Sequence, residues 1–249
     1  MKDLGILKYF LGIEVARGKD GLFLSQRKYV LDIISEAGLL GARPVSTPLE
    51  QNHHLATING ALFDDPEKYQ RLVRCLIYLT ITRPELCYFV HILAQFMGDP
   101  RVEHWDAALR VLRYLKGCPG QGSSPVSQPI VSRSSTKAEY RSMATTTCEL
   151  KWLKSLLACF GIQHVRPMKL FCDSQAALHI AANPIFHERT KHIEMDCYFI
   201  RDALQDGMIS TYHIRTNAQL VDILTKALGK SQFSLLLSKL DICNLHAAT

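Results

Sequence analysis

The stretch from Gly117 to Pro129, GCPGQGSSPVSQP, constrains this chain most, because its Gly, Ser, Pro and Gln residues favour turns and linker conformations over regular structure. It reads as a linker or a deletion scar, and the patterns on its two sides belong to different classes. Upstream, residues 6–24 alternate loosely around an Asp20-Gly21 turn and predict a β-hairpin. Ser25 can then cap a helix with the stripe Val30, Leu31, Ile34 and Leu39. After a polar, proline-containing segment at 41–64, three helices are expected. The first starts near Pro66 and carries Leu72, Leu76 and Leu79. The second follows Thr82-Arg83-Pro84-Glu85, a capping-box spacing, and the third opens at Asp99-Pro100.

Downstream of Pro129 the order changes to β-α-β-α-α-β-α. A short strand at Ile130-Val131 leads into a long helix over 135–160 and a strand over 168–172. Helices over 174–182 and 192–205, a strand over 208–214 and a helix over 218–228 follow. The fold class is therefore α+β or α/β, with a helical first part on a small β element and a mixed-sheet second part.

The chain is long enough to bury a core, and 47% apolar residues fit a globular protein rather than a disordered one. The net charge of +6 is spread over both halves without a block of like charge, so it permits nucleic acid as a partner without requiring it. None of the eight cysteines has Cys-x-x-Cys spacing, so they are expected to be reduced thiols rather than a disulfide frame or a zinc site. The first residues lack the apolar run of a signal peptide, and no segment is apolar for long enough to cross a bilayer. The expectation is a soluble intracellular protein, cytoplasmic or nuclear, with no membrane partner.

Three groups of strings carry a resemblance. MKDLGILKYFLGIEVARGKDGLFLSQRKYVLDIISEAGLL is similar to the stretch that follows the polymerase active site in copia-type retrotransposon Pol polyproteins. YQRLVRCLIYLTITRPELCYFVHILAQFM and HWDAALRVLRYLKG resemble the helical region that closes that polymerase. VSRSSTKAEYRSMATTTCELKWLKSLL, LFCDSQAALHIAANPIFHERTKHIEMD and LVDILTKAL resemble three ribonuclease H segments of the same polyprotein. The resemblance implies a reverse transcriptase tail over 1–116 and a linker over 117–129. It further implies an incomplete ribonuclease H-like domain over 130–230 that lacks its first strands, and a C-terminal tail over 231–249.

The departures from the family pattern matter as much. The family polymerase holds a pair of aspartates in a hairpin upstream of Met1-Lys2-Asp3. Asp64-Asp65 is no substitute, because it directly precedes Pro66 and Asp65 reads as a helix cap. The family ribonuclease H has three antiparallel strands between the regions matched by Tyr114-Leu115-Lys116-Gly117 and Val131-Ser132-Arg133, and the first supplies a central aspartate. Here residues 107–138 contain no Asp or Glu.

The chemistry that the resemblance implies is hydrolysis of RNA–DNA hybrid by two divalent ions about 4 Å apart, held by carboxylates from different elements. The match carries over Glu139, Asp173 and Asp222 as vestigial catalytic and Mg²⁺-binding residues. Each also has a plain structural reading. Glu139 could complete a capping box with Thr136, Asp173 could cap a helix, and Asp222 could favour a helix N-terminus. Arg189, Lys191 and His192 form a compact basic group that the resemblance places near the nucleic-acid strand, and a solvated loop is the plain alternative.

The resulting expectation is a Pol fragment without catalytic activity of its own. The alternatives are a hybrid ribonuclease, active alone or completed by association with intact Pol, and a non-catalytic nucleic-acid-binding module. Because strand 168–172 loses its expected central partner, its edge should be open and its domain loosely packed. Residues 125–249 expressed alone are expected to melt without a cooperative transition; a sharp two-state calorimetric transition would count against the missing-strand reading.

Overall fold

Strand-forming residues near the start of the chain pair as an antiparallel meander, and later segments extend it. The computed structural model describes residues 8–18, 21–51, 53–55, 60–123, 136–161, 163–182, 194–240 and 242–244. Up to residue 123 the elements are β1 (Tyr9–Phe10), β2 (Ile13–Gly18), β3 (Gly21–Ser25), α1 (Arg27–Glu36), α2 (Pro66–Leu79), α3 (Cys87–Ala94), α4 (Val102–Gly117) and β4 (Gln121–Ser123). Beyond it lie α5 (Thr136–Cys159), β5 (Met168–Cys172), α6 (Gln175–Ala182), α7 (Glu194–Gln205), β6 (Ile209–His213), α8 (Asp222–Thr225), α9 (Lys230–Lys239) and β7 (Cys243–Asn244). The architecture is α+β. It divides into two compact units, residues 1–129 with 222–249 and residues 130–221. No helix among the described residues is long and apolar enough to cross a membrane.

The first unit holds an antiparallel sheet in the order β1-β2-β3-β4-β7. Leu11 and Gly12 both take positive φ, 47° and 78°, and so make the tight link between β1 and β2. Strand β4 lies inside the stretch expected to be linker. Composition argues against a strand there, but pairing decides it: Leu24 lies opposite Ser123 and Ser25 opposite Gly122. A side chain at position 122 would run into the Leu24 carbonyl oxygen, so the close approach of the two backbones needs glycine.

The helices assemble as their apolar stripes dictate. Helix α2 begins as expected, with Pro66 in its first turn and the Asp65 carboxylate accepting from the Lys68 N–H at 2.9 Å. Its Tyr69, Leu72, Val73, Leu76 and Leu79 are buried, as are Phe89, Val90 and Leu93 of α3 and Val111, Leu112 and Leu115 of α4. The C-terminal segment joins this core. Phe233 of α9 packs edge-on against Tyr114 at 5.8 Å and against Phe89 at 6.4 Å between ring centroids. Residues 231–249 thus contribute a helix and a strand to the first unit.

Thr82 and Glu85, spaced as a capping box, do something else. Thr82 Oγ1 donates to Gln26 Oε1 at 2.8 Å, and Glu85 forms a fully buried ion pair with Arg83 Nε at 2.6 Å. The reason is the 3-10 turn Pro84–Leu86, which turns Glu85 inward, where the Tyr114 hydroxyl also donates to it at 3.5 Å. Burial by itself would lower the pKa of Arg83, but the neighbouring Glu85 carboxylate outweighs it and holds the guanidinium above its ordinary value.

In the second unit β5 and β6 run parallel, in register from Met168 opposite Ile209 to Cys172 opposite His213. Helices α5, α6 and α7 pack Tyr140, Met143, Ala144, Ala177, Ala181, Ile200 and Ala203 around Cys172 and Ile209. The turn into β6 uses Gly207 at φ 63°, with Met208 N–H bonded to the Ala203 carbonyl at 2.9 Å and Gly207 N–H to that of Leu204 at 3.1 Å. This closes the helix end.

Removing one partner of the buried Arg83–Glu85 pair strands the other charge, at a cost of about 3–5 kcal/mol. Arg83→Met and Glu85→Leu are each expected to lower denaturant stability by that order, and the double variant by less than their sum, as a double-mutant cycle on the full chain would measure.

Candidate metal centre

Two of the three carboxylates expected from sequence come together. Glu139 lies in the first turn of α5, and Asp173 follows the last residue of β5. Because α5 packs across β5, the start of the helix meets the end of the strand, and the two residues share a cluster with Cys172. One potential ligand atom from each of Glu139, Cys172 and Asp173 lies within 4.8 Å of the others. Glu139 and Asp173 are half-buried and Cys172 is buried.

The plain reading of Asp173 as a helix cap does not hold, because its neighbour has that role. Ser174 Oγ accepts from the Ala177 N–H at 3.3 Å and so caps α6. Asp173 stands in the cluster one residue beyond the end of the strand. The expected capping partner of Glu139, the Thr136 side chain, lies outside the described residues.

Cys172 is a member of the cluster that sequence reasoning does not single out. Its thiol lies 3.8 Å from Glu139 Oε2 and 3.8 Å from the Ser174 carbonyl oxygen, and it can donate to either. Burial, reinforced by the Glu139 and Asp173 carboxylates, pushes its pKa up to about 11, against a smaller opposing effect from the hydrogen bond at Ser174. At neutral pH the group is a thiol. The one signal for it in the sequence is its place directly before Asp173 at a strand end.

Asp222 belongs to the other unit. It opens the short helix α8, is buried, and pairs at 2.8 Å with the Nζ of Lys226, the residue directly after that helix. Arg189, Lys191 and His192 lie outside the described residues.

Chemically, two carboxylates set at the junction of a helix and a strand can supply oxygen ligands to a hard dication such as Mg²⁺, with water filling the remaining positions. A neutral thiol adds nothing to such an ion, since soft sulfur ligands suit other metals. The donor set therefore fits one partly hydrated hard ion.

No family model matches the chain, and no solved structure matches it. The similarity lies with transposon polyproteins. The chain is 38% identical over 284 aligned positions to the retrovirus-related Pol polyprotein from transposon RE1 of Arabidopsis thaliana, covering 97% of this chain and 19% of that protein. With the corresponding RE2 polyprotein of the same plant it shares 39% over 275 positions, covering 94% of this chain and 19% of the relative. With that of transposon TNT 1-94 of Nicotiana tabacum it shares 30% over 287 positions, 94% of this chain and 21% of the relative. The chain thus spans about a fifth of the length of these relatives while matching them almost from end to end. It belongs to the retrovirus-related Pol polyproteins of copia-type transposons.

Proposed function

We propose that this chain is a Pol fragment descended from a polymerase and RNA–DNA hybrid ribonuclease, and that it hydrolyses no hybrid itself. In this reading residues 1–116 correspond to the closing part of the reverse transcriptase, and the unit at 130–221 to ribonuclease H without its first strands. The observation that carries the proposal is the make-up of the cluster at the junction of α5 and β5. Glu139 and Asp173 stand where two metal-binding carboxylates would be needed, and among the described residues the third group of the cluster is a thiol.

Hybrid hydrolysis by two metals needs a carboxylate that reaches both ions, about 4 Å apart. Glu139 and Asp173 fit a single Mg²⁺, which when bound would polarise a phosphate oxygen and acidify a water. Cys172 stays protonated and can donate a hydrogen bond to Glu139, leaving fewer lone pairs on that carboxylate for an ion. The lengths of the alignments add independent support. At 284, 275 and 287 positions each exceeds the 249 residues of the chain, so each relative has residues for which this chain has no counterpart. Asp65, which caps α2, is also occupied away from any metal chemistry. Nucleic acid remains the partner that the reading implies, through the basic group Arg189, Lys191 and His192.

Purified full-length chain is expected to give no Mg²⁺-dependent cleavage of a labelled RNA–DNA hybrid. Turnover that disappears in Glu139→Gln or Asp173→Asn would show instead that the chain is an active ribonuclease. Retained binding to hybrid that weakens steeply with salt would show that the nucleic-acid surface has outlived the chemistry.

The ionisation of Cys172 provides a second check. The folded state raises its pKa from 9.0 to about 11, so it favours the protonated form, and the resulting stabilisation is complete below pH 9 and lost as the pH rises through 11. At pH 8 the thiolate fraction is about one in a thousand, so iodoacetamide should modify exposed Cys148 and Cys159 far sooner than Cys172. Asp173→Asn should lower the pH at which Cys172 reacts; equal reactivity of the three thiols would contradict the cluster geometry.

A further inference from the structure

Sheet and helix in the second unit stop short on the same side. Met168 N–H donates to the Met208 carbonyl at 2.9 Å, and the Cys172 carbonyl accepts from Ile214 N–H at 3.0 Å. In a parallel strand successive residues turn their N–H and C=O groups to opposite edges. Met168, Leu170 and Cys172 therefore face β6, and the backbone groups of Lys169 and Phe171 face away from it. Among the described residues no strand pairs on that second edge. An edge of this kind is a template for another strand.

Helix α5 lies over β5, while β6 is covered by α6 and α7. The first half of α5 buries Tyr140, Met143 and Ala144, but its second half carries Trp152, Leu153, Leu156 and Leu157 at 58%, 40%, 37% and 37% exposure, and Phe160 just past its end is 72% exposed. Their spacing makes one continuous apolar stripe. A stripe of this kind on a helix is ordinarily buried against a second layer. Among the described residues the sheet beneath α5 ends at β5.

The two features together specify what fits. An occupant must offer extended backbone to Lys169 and Phe171, and apolar side chains to the overhanging stripe. A β-strand with alternating apolar residues meets both demands, and a helix meets only the second. Charge narrows the choice. From Leu150 to Cys172 the chain has Lys151, Lys154, Arg166 and Lys169 and no acidic residue, which suits a strand that carries Asp or Glu. The relatives supply a source, since their alignments contain residues without a counterpart here.

We propose that the open edge of β5 and the apolar end of α5 form a docking site for an acidic, apolar β-strand of an intact Pol polyprotein. The proposal rests on the reading of this chain as a Pol fragment. It adds that the fragment takes a strand from another chain by backbone pairing.

The test uses full-length chain and, as probe, a synthetic peptide made of the RE1 residues that have no counterpart here, with amide hydrogen exchange read residue by residue. The peptide is expected to slow exchange at Lys169 and Phe171 by about tenfold or more, while Leu170 and Cys172, already bonded to β6, serve as the unchanged internal control. The effect should vanish in Leu156→Lys/Phe160→Lys, both exposed positions, with protection at Leu170 and Cys172 retained. No slowing in the wild-type chain overturns the proposal. So does slowing that grows with chain concentration without peptide, which would make a second copy the occupant. Hybrid cleavage by the chain alone would refute the inactive-fragment reading, whereas the exchange data judge the docking site by themselves.

Discussion

The first unit depends on one buried guanidinium. Arg83 has no exposed surface, and it reaches both halves of the structure around it. Its Nε pairs with Glu85, Nη1 donates to the Cys118 carbonyl at 3.0 Å, and Nη2 donates to Gln121 Oε1 at 3.4 Å. Glu85 belongs to the 3-10 turn that leads into α3, Cys118 ends α4, and Gln121 begins β4. A single side chain thus fastens the helical block to the sheet. A buried charge is tolerable only if it is paired and hydrogen-bonded, so each of these neighbours is under constraint. The Gly-rich stretch after α4 can form a strand because Arg83 fixes its first residues and Gly122 allows close pairing with β3.

The second unit is built differently. Its core is built largely of small side chains, with Ala144, Ala177, Ala181 and Ala203 set around Tyr140 and Ile200, and its sheet has two strands among the described residues. Large apolar groups remain on its surface, among them Trp152, Phe160, Val165 and Phe171. The outer sheet face carries Phe171 beside Tyr212, with ring centroids 5.6 Å apart and both rings about half exposed. Such groups gain free energy by leaving water, at roughly 25 cal/mol per Å² of apolar surface. Part of that driving force is unused among the described residues of this unit, which is the physical basis for the partner strand proposed at its edge.

The proposed loss of hybrid hydrolysis follows from the same reading. Metal-dependent hydrolysis draws its carboxylates from several elements, so it fails as soon as one element is missing, even where the rest keep their places. Glu139 and Asp173 are held together by the packing of α5 on β5, which serves the core whether or not an ion binds. At that junction the Cys172 thiol can donate to the Glu139 carboxylate.

Much was legible in the sequence where local chemistry decides. The Asp65 cap before Pro66, the long helix from Thr136 and the strand from Met168 to Cys172 follow from capping, periodicity and β-propensity, and Glu139 and Asp173 could be singled out from the matching strings. Tertiary structure alone decided that Glu85 forgoes its capping-box spacing for a buried ion pair, because the cost of burying Arg83 does not appear in a local window. It alone decided that Gly122 sits in a strand, that Ser174 rather than Asp173 caps α6, and that Cys172 clusters with two carboxylates. It also placed residues 222–249, including Asp222, with the first unit. Local sequence sets the conformation of a segment through its own backbone preferences, whereas its partners are set by which apolar faces, buried charges and open strand edges are satisfied at once.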